Sequence, residues 1–168
     1  MRLLYFMTFI IVTFSMPISA AEKSVHKKLP LSESVPLLRT IDKYALHMGT
    51  GPIEVHIFID PLCPHSKNLI EMIADNDKAL SRNSYYLYLY TLKRLYSEKM
   101  VEVIYEAADP LTSLLDVMAR HKKIEMKSTP KKEIIIKVDA IAKVAEQLDV
   151  YKRPYMIFIK QPKEKRGH

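Results

Sequence analysis

The sequence predicts an α/β domain, in which helices pack on a sheet that has a parallel pair of strands at its centre. Segments with the two-residue period of a strand alternate along the chain with segments that have the period of a helix. Strands that are joined through a helix run parallel when they lie in one sheet. The 168 residues are enough for one domain with a substantial core, but not comfortably for two.

Residues 1–20 have the pattern of a secretory signal peptide. Arg2 supplies a short positive region, an apolar stretch runs from Leu3 to Phe14, and small residues around Ala20 offer a cleavage point. The apolar run breaks at Ser15, before the ~20 residues that a membrane-spanning helix needs. The pattern therefore predicts export, with an uncleaved N-terminal anchor as the alternative.

Residues 21–50 are predicted to form an N-terminal segment with one helix, before a domain over 51–160 and a basic tail over 161–168. Pro36 lies near the first turn of this helix, where its missing N–H costs little, and the Gly-Thr-Gly stretch at 49–51 ends it. The apolar residues at helical spacing are Leu37, Leu38, Ile41, Tyr44, Ala45 and Met48.

The first half of the domain contains two predicted strands joined by a helix. The strands cover 53–60 and 85–92, both rich in β-branched and aromatic residues, and His56 is expected to be packed within the first. Tyr86, Tyr88 and Tyr90 share one face of the second strand. The helix, which follows Cys63, carries Leu69, Ile70, Ile73 and Leu80 on one side.

The second half is predicted to contain three helices and a last strand over 154–160. Ser97 is expected to cap the first helix, Asp109 with Pro110 to open the second, and Thr129 with Pro130 to open the third. The third helix has one apolar face, formed by Ile134, Val138, Ile141, Ala145 and Leu148.

The formal net charge of +7 comes largely from short lysine-rich runs that look like solvated surface. No nucleic-acid recognition motif accompanies them, so a nucleic-acid partner is not expected. Weak association with an anionic membrane surface, or a preference for acidic clients, is the alternative. The sequence also lacks a glycine-rich phosphate loop and a recognisable hydrolase constellation, and it indicates no cofactor. It does not predict the oligomeric state.

Two segments together resemble the thioredoxin-fold superfamily. The segment FIDPLCPHSK, from Phe58 to Lys67, is similar to the active-site segment of the exported thiol:disulfide isomerase branch, roughly F-x-D-x-x-C-x-x-C-x-K or H. The segment LDVYKRPYMIF, over 148–158, resembles L-G-V-x-x-T-P-x-x-x-F, whose proline follows a cis peptide bond and faces the cysteine. The resemblance covers about 51–160 and implies a thioredoxin-like fold with a helical insert.

The sequence departs from the pattern of this branch at several positions. Ser66 stands where the resolving cysteine would be, Arg153 precedes Pro154 in place of threonine, and Ile57 occupies the position of the buried acid of thioredoxins. The dimerisation domain has no counterpart. We do not expect the usual closing strand and C-terminal helix either, so one sheet edge and part of one face are expected to be uncovered. The N-terminal helix is expected to lie over that face; otherwise the domain would need a partner.

Cys63, the single cysteine of the chain, is the candidate nucleophile. It lies just before a helix that begins at Pro64, where unpaired N–H groups favour a thiolate, and His65 adds a possible positive charge. Ser66 can donate a hydrogen bond to the sulfur or be an ordinary first-turn residue. An inert buried cysteine is the alternative reading of Cys63.

The loop around Pro154 is the candidate binding site for clients, because an X–Pro bond beside an extended strand can offer backbone groups to a peptide. Arg153 can stabilise the thiolate and grip a carboxylate of a peptide or glutathione, or it is exposed charge. A metal site of His56, Asp60, Cys63 and His65 is not expected, because it lacks a second soft ligand.

The sequence leaves two functions open. One is an exported, periplasmic monothiol protein that exchanges disulfides with exported clients or glutathione through a mixed disulfide. The other is a non-catalytic thioredoxin-fold binding module, acting as a chaperone or assembly factor. With only one sulfur, the chain has no internal disulfide with which to oxidise a client, and it cannot resolve a mixed disulfide by itself.

Overall fold

The computed structural model describes residues 26–126, 129 and 131–160. The predicted signal peptide and the basic tail lie outside the described residues. The elements, in chain order, are α1 (Leu31–Ile41), a 3₁₀ helix (Asp42–Tyr44), β1 (Leu46–Met48), β2 (Ile53–Ile59), α2 (Pro64–Ala74), α3 (Asp77–Arg82), β3 (Asn83–Leu89), a 3₁₀ helix (Lys93–Leu95), α4 (Glu98–Glu106), α5 (Pro110–Met118), α6 (Lys132–Gln147) and β4 (Tyr155–Lys160).

The described strands form one mixed sheet in the order β1-β3-β2-β4. The central strands β2 and β3 run parallel, as predicted, with Ile57 opposite Leu87. β1 pairs antiparallel with β3, and β4 pairs antiparallel with β2. This arrangement brings the carboxyl end of β2, the end of β3 and the start of β4 to one end of the sheet.

The predicted N-terminal helix is wrong in its second half. α1 ends at Ile41, and Leu46–Met48 is an edge strand that pairs with β3. Met48 fits a helical spacing with Tyr44 and Ala45, but Leu46 and Met48 also alternate with exposed His47, as in a strand. Gly49 then turns the chain with a φ of 81°.

The predicted helix after Cys63 is two helices. α2 ends at Ala74, and α3 begins at Asp77. The break occurs because the Asn76 side chain accepts a hydrogen bond from the Ala79 N–H at 3.0 Å and so caps α3. Leu80 therefore belongs to α3, not to the helix that starts beside the cysteine.

Of the three predicted helix starts, those of α4 and α5 are confirmed in position, and that of α5 is confirmed in its capping bond as well. Asp109 accepts a hydrogen bond from the Thr112 N–H and caps α5, whose first residue is Pro110. Ser97 precedes α4 but makes no capping bond, because its hydroxyl donates to Asp60 instead.

α6 begins at Lys132, with Lys131 at the capping position, so the prediction that Thr129 and Pro130 open it is wrong. Pro130 itself lies outside the described residues. The predicted apolar face of α6 is largely buried, with Val138 partly so.

The two faces of the sheet are covered differently. Asp42, just after α1, accepts a hydrogen bond from the Tyr88 hydroxyl at 3.0 Å, so α1 lies on the face that carries His56 and Tyr88. Met156 and Phe158 lie on the opposite face, across from Ile57 and Val55, and both are exposed. The expectation that the N-terminal helix covers this uncovered face is therefore wrong.

No helix within the described ranges has both the length and the apolar composition needed to cross a bilayer.

Candidate functional site

The turn after β2 places Cys63 at the N-terminus of α2. The Asp60 carboxylate accepts a hydrogen bond from the Leu62 N–H at 2.8 Å, and the Asp60 carbonyl accepts one from the Cys63 N–H at 3.1 Å. Cys63 is the capping residue of α2, in an extended conformation, and Pro64 is the first helical residue. The sulfur thus stands at the positive end of an eleven-residue helix.

The two segments that resemble the thioredoxin superfamily meet at the cysteine. The Cys63 thiol faces the carbonyl oxygen of Arg153, with an Sγ–O distance of 3.7 Å, across 90 residues of sequence. The peptide bond between Arg153 and Pro154 is cis, as the resemblance implies. The cysteine is also buried, with 1% of its surface exposed. A partner must therefore displace part of this loop to reach the sulfur.

The other predicted site residues of α2 point in different directions. Pro64 and His65 are exposed in the first turn of the helix. Ser66 is fully buried, and its hydroxyl oxygen accepts a hydrogen bond from the Asp60 N–H at a distance of 3.4 Å. Ser66 therefore contributes to holding the turn that carries Cys63.

Arg153 is buried, so the reading of this residue as exposed charge is wrong; its neighbour Lys152 is the exposed cation. The guanidinium lies over the Tyr90 ring, 3.8 Å from the ring centroid. It donates four hydrogen bonds to backbone carbonyl oxygens, those of Tyr90 (2.9 Å), Thr91 (3.3 Å), Val150 (3.0 Å) and Lys152 (3.0 Å). The bonds to Tyr90 and Thr91 connect residues 150–154, which we call the proline loop, to the end of β3.

The electrostatics of Arg153 support one of its two predicted roles. Burial lowers the pKa of the guanidinium, and interactions with Tyr90, Asp60 and Cys63 oppose that effect. An arginine stays protonated in proteins, so a buried positive charge lies within electrostatic range of the sulfur. Since four of its five N–H groups are already used, Arg153 has no free fork with which to grip a carboxylate.

Asp60 is the residue whose role the sequence analysis missed. Its buried carboxylate accepts hydrogen bonds from the Leu92 N–H at 2.5 Å and the Ser97 hydroxyl at 2.6 Å, besides that from Leu62. Asp60 therefore connects the turn of residues 60–63, which we call the cysteine turn, to the segment before α4. An acidic residue directly after an apolar strand was the available signal, since such a group is buried only when it is paired.

His56 is packed within the sheet, as predicted, and has no exposed surface. Its ring stacks on that of Tyr86, and its Nδ1 lies 2.9 Å from the Tyr88 hydroxyl. Burial lowers the pKa of His56. No group of three or more potential metal ligands occurs in the part of the chain that the structure describes.

Comparisons with known proteins identify the fold. No protein-family model and no curated protein matches the sequence. A disulfide interchange protein from Neisseria gonorrhoeae aligns with a TM-score of 0.54 and 19% identity, over 68% of this chain and 79% of that one. The catalytic domain of Proteus mirabilis ScsC aligns with a TM-score of 0.62 and 12% identity, over 78% and 85%. Helicobacter pylori DsbG aligns with a TM-score of 0.56 and 14% identity, over 76% of this chain and 61% of that one. The chain therefore has the thioredoxin-like fold, which it shares with the gonococcal disulfide interchange protein.

Proposed function

We propose that this chain is an exported, periplasmic protein that carries out monothiol exchange of thiols and disulfides, with Cys63 as its nucleophile. The observation that carries the proposal is the contact of Cys63 Sγ with the Arg153 carbonyl oxygen, beside a cis proline. The solved neighbour described as a disulfide interchange protein supports the same chemistry. The predicted signal peptide over 1–20 supports export.

The surroundings of the sulfur favour a thiolate once the site opens. The N-terminus of α2 presents unpaired N–H groups and a positive partial charge to the sulfur. The buried guanidinium of Arg153 adds a full positive charge. Exposed His65 adds another whenever it is protonated. The Arg153 carbonyl, by contrast, accepts a hydrogen bond only from the protonated thiol.

The exchange proceeds through one covalent intermediate. The Cys63 thiolate attacks one sulfur of a client disulfide, the client S–S bond breaks, and the other client sulfur leaves as a thiolate. A mixed disulfide then joins Cys63 to the client. When a second thiol of the same client attacks the mixed disulfide, it releases Cys63 as a thiolate, and the net result is isomerisation. When the disulfide attacked joins a client to glutathione, the client sulfur leaves as a thiolate and Cys63 takes the glutathione sulfur; a second glutathione then releases Cys63 and forms oxidised glutathione, which is deglutathionylation. In both cases the protein is neither oxidised nor reduced over the cycle.

The burial of Cys63 makes the proline loop a gate to this chemistry. With 1% of the residue exposed, a client sulfur reaches Sγ only when the loop of Arg153 and Pro154 moves away from the cysteine turn. Pro154 then offers its backbone to the client, in keeping with its predicted role in binding. Ser66 holds the turn through Asp60 and supplies no sulfur.

The reactivation of a scrambled disulfide protein in a glutathione buffer tests the proposal. The parent should accelerate reactivation, Cys63→Ala should lose the acceleration, and Ser81→Ala, an exposed serine on α3, should behave as the parent does. Full activity of Cys63→Ala would contradict the proposal. Ser66→Cys tests the monothiol mode: a second sulfur should add net reduction or oxidation of a client disulfide, which the parent lacks.

A non-catalytic binding module is the second candidate, and the burial of Cys63 is the observation that favours it. Under this alternative, the thiol is a small apolar group in the core and the protein acts as a chaperone or assembly factor. The parent would then show no exchange activity, and Cys63→Ala would bind partners as well as the parent does.

A further inference from the structure

The outer edge of β4 is a sheet edge that no described strand covers. β4 pairs with β2 on its inner side and stands last in the sheet. The backbone N–H and C=O groups of alternate residues therefore point outward, and such groups readily pair with another extended chain. We propose that this edge docks an extended acidic segment of a partner protein, which adds to the sheet as a fifth strand.

Large apolar side chains stand beside this edge. Along β4, buried residues alternate with exposed ones, and the exposed fractions are 39% for Met156 and 53% for Phe158. Tyr151, in the loop that leads to β4, is 48% exposed. Neighbouring exposed apolar side chains of this size mark an interaction surface rather than ordinary solvated surface.

The surface beside the edge is basic. These three side chains line one groove, with a volume of about 310 Å³, together with Lys27, Lys28 and Lys152. The groove also contains the Asp149 carboxylate, which accepts a hydrogen bond from the Lys27 N–H at 3.0 Å and lies 3.1 Å from His26 Nδ1. No carboxylate among the described residues forms an ion pair with the three lysines.

The charge and the period of this surface define the occupant. A strand places alternate side chains on one face, so a segment in which acidic and apolar residues alternate can set its apolar residues against Met156 and Phe158. Its carboxylates can then meet the lysines that remain without an acidic partner. An extended acidic segment thus satisfies the backbone edge, the apolar side chains and the charge together.

A second copy of this chain fits the same edge poorly. Exposed Lys152 and Lys160 bracket the strand, so an antiparallel pairing of two β4 strands would bring lysines of one copy close to lysines of the other. The formal net charge of +7 adds to that repulsion. Lysine at the end of an exposed edge is also a common protection against self-association.

The docking surface can be tested separately from the thiol. Pro154 also lines the groove, but Met156 and Phe158 lie outside the loop that contacts Cys63. Their substitution should therefore weaken docking and leave exchange on a small disulfide unchanged, and loss of Cys63 should leave docking unchanged. Failure of the proposed exchange activity and failure of docking are therefore distinguishable.

The test uses the full mature chain and a fluorescent peptide in which valine and glutamate alternate. Fluorescence anisotropy should show binding that weakens with added salt, since the contacts are partly ionic. A matched peptide of valine and lysine should bind far more weakly. In the free protein, alternate β4 amides should exchange with solvent quickly, and the acidic peptide should slow them.

Three variants locate the site. Met156→Thr combined with Phe158→Thr keeps the strand propensity and should weaken binding by about tenfold, as expected when buried apolar anchors are removed. Lys152→Glu should weaken the binding of the acidic peptide and strengthen the binding of the basic peptide. Lys78→Glu is the charge control, because it is exposed on α3, which packs against β3 rather than β4.

Several results would overturn the proposal. Equal binding of the two peptides, no binding of either, or protected amides on another element would each do so. Slow exchange of all β4 amides in the free protein would mean that the edge is already covered. A concentration-dependent dimer in sedimentation, lost in the Met156 and Phe158 variant, would assign the edge to a second copy.

Discussion

The sheet carries two polar clusters, each with buried members, and they differ in how completely their groups are paired. The thiol cluster consists of Asp60, Cys63, Ser66, Ser97 and Arg153. The histidine cluster consists of Arg39, Asp42, Glu54, His56 and Tyr88. In the thiol cluster, the Asp60 carboxylate accepts three hydrogen bonds. The Arg153 guanidinium donates four. In the histidine cluster, His56 Nε2 is the one buried side-chain nitrogen or oxygen of the described residues without a hydrogen bond, and it lies 3.5 Å from a carboxylate oxygen of Glu54.

This difference separates a cluster that fixes two loops from one that packs within a single face of the sheet. The hydrogen bonds of Asp60 and Arg153 fix the two loops that meet at the sulfur, so both residues should be needed for stability and for chemistry. His56 connects groups within one face of the sheet, and its burial lowers its pKa and so disfavours the protonated form in the folded state. Its removal should change the pH dependence of stability without affecting the thiol.

The largest effect should follow the loss of the carboxylate at Asp60. Asp60→Ala leaves two backbone N–H groups and the Ser97 hydroxyl buried without an acceptor. We expect a loss of about 3–5 kcal/mol in the free energy of unfolding, measured by urea denaturation. Asp116→Ala removes a partly exposed carboxylate that pairs with exposed Arg120 and Lys122, and it should change stability far less. Equal losses in the two variants would contradict the role of Asp60.

Arg153 should come next, and two substitutions separate its charge from its hydrogen bonds. Arg153→Gln removes both, whereas Arg153→Lys keeps the charge but cannot reach four carbonyl oxygens. Each should lose about 2–3 kcal/mol of stability in urea denaturation, because buried carbonyls are left unpaired. Arg153→Gln should also lower the rate of thiol exchange more than Arg153→Lys does.

Lys152→Gln provides the matched control, because this neighbouring cation is exposed. It should leave both stability and exchange near the parental values. If Arg153→Lys and Arg153→Gln exchange thiols at the same rate, the charge of Arg153 has no influence on the sulfur.

His56 should make stability decrease as the pH falls. Burial lowers its pKa in the folded state, and Asp42 and Glu54 oppose this only in part. Below the unfolded value of about 6.5, the unfolded chain takes up a proton that the folded chain refuses. The contribution of His56 should therefore be fully present above that pH, and it should be lost at up to about 1.4 kcal/mol per pH unit as the pH falls toward the folded value.

Urea denaturation at several pH values tests this expectation. His56→Gln should flatten the decline below about pH 6.5, and His47→Gln, an exposed histidine on β1, should leave it in place. A decline that is the same in the parent and in His56→Gln would assign it to other groups.

Ser66 should have the smallest effect. Its single hydrogen bond from the Asp60 N–H is long, at 3.4 Å. Ser66→Ala should therefore lose only about 1 kcal/mol in thermal or urea denaturation and keep most of the exchange activity. A large loss of exchange with little loss of stability would show that the hydroxyl acts on the sulfur.

The sequence predicted the parts of the fold that local patterns determine. The central parallel strands, the cysteine at the start of α2 and the cap at Asp109 follow from residue periodicity and helix-end chemistry, and the cis bond before Pro154 follows from the resemblance. Residues 46–48 were compatible with the period of a helix and with the two-residue period of a strand, and their pairing with β3 makes them a strand.

The rest of the site depends on contacts that the sequence does not contain. From the sequence, Arg153 could be either a charge near the sulfur or a surface charge beside Lys152. Only the fold brings four carbonyl oxygens around its guanidinium. Ser97 reads as a helix cap, but the Asp60 carboxylate 37 residues earlier competes for its hydroxyl. Cys63 is likewise buried, and its thiol contacts the Arg153 carbonyl oxygen 90 residues later in the chain.

Mass spectrometry of the mature protein after incubation with oxidised glutathione tests the central claim most directly. We expect a glutathione adduct on Cys63 of the native protein, formed faster as the pH rises and removed by added thiol. If the adduct forms only after unfolding in urea, Cys63 is a buried core residue, and the thiol-exchange function is contradicted.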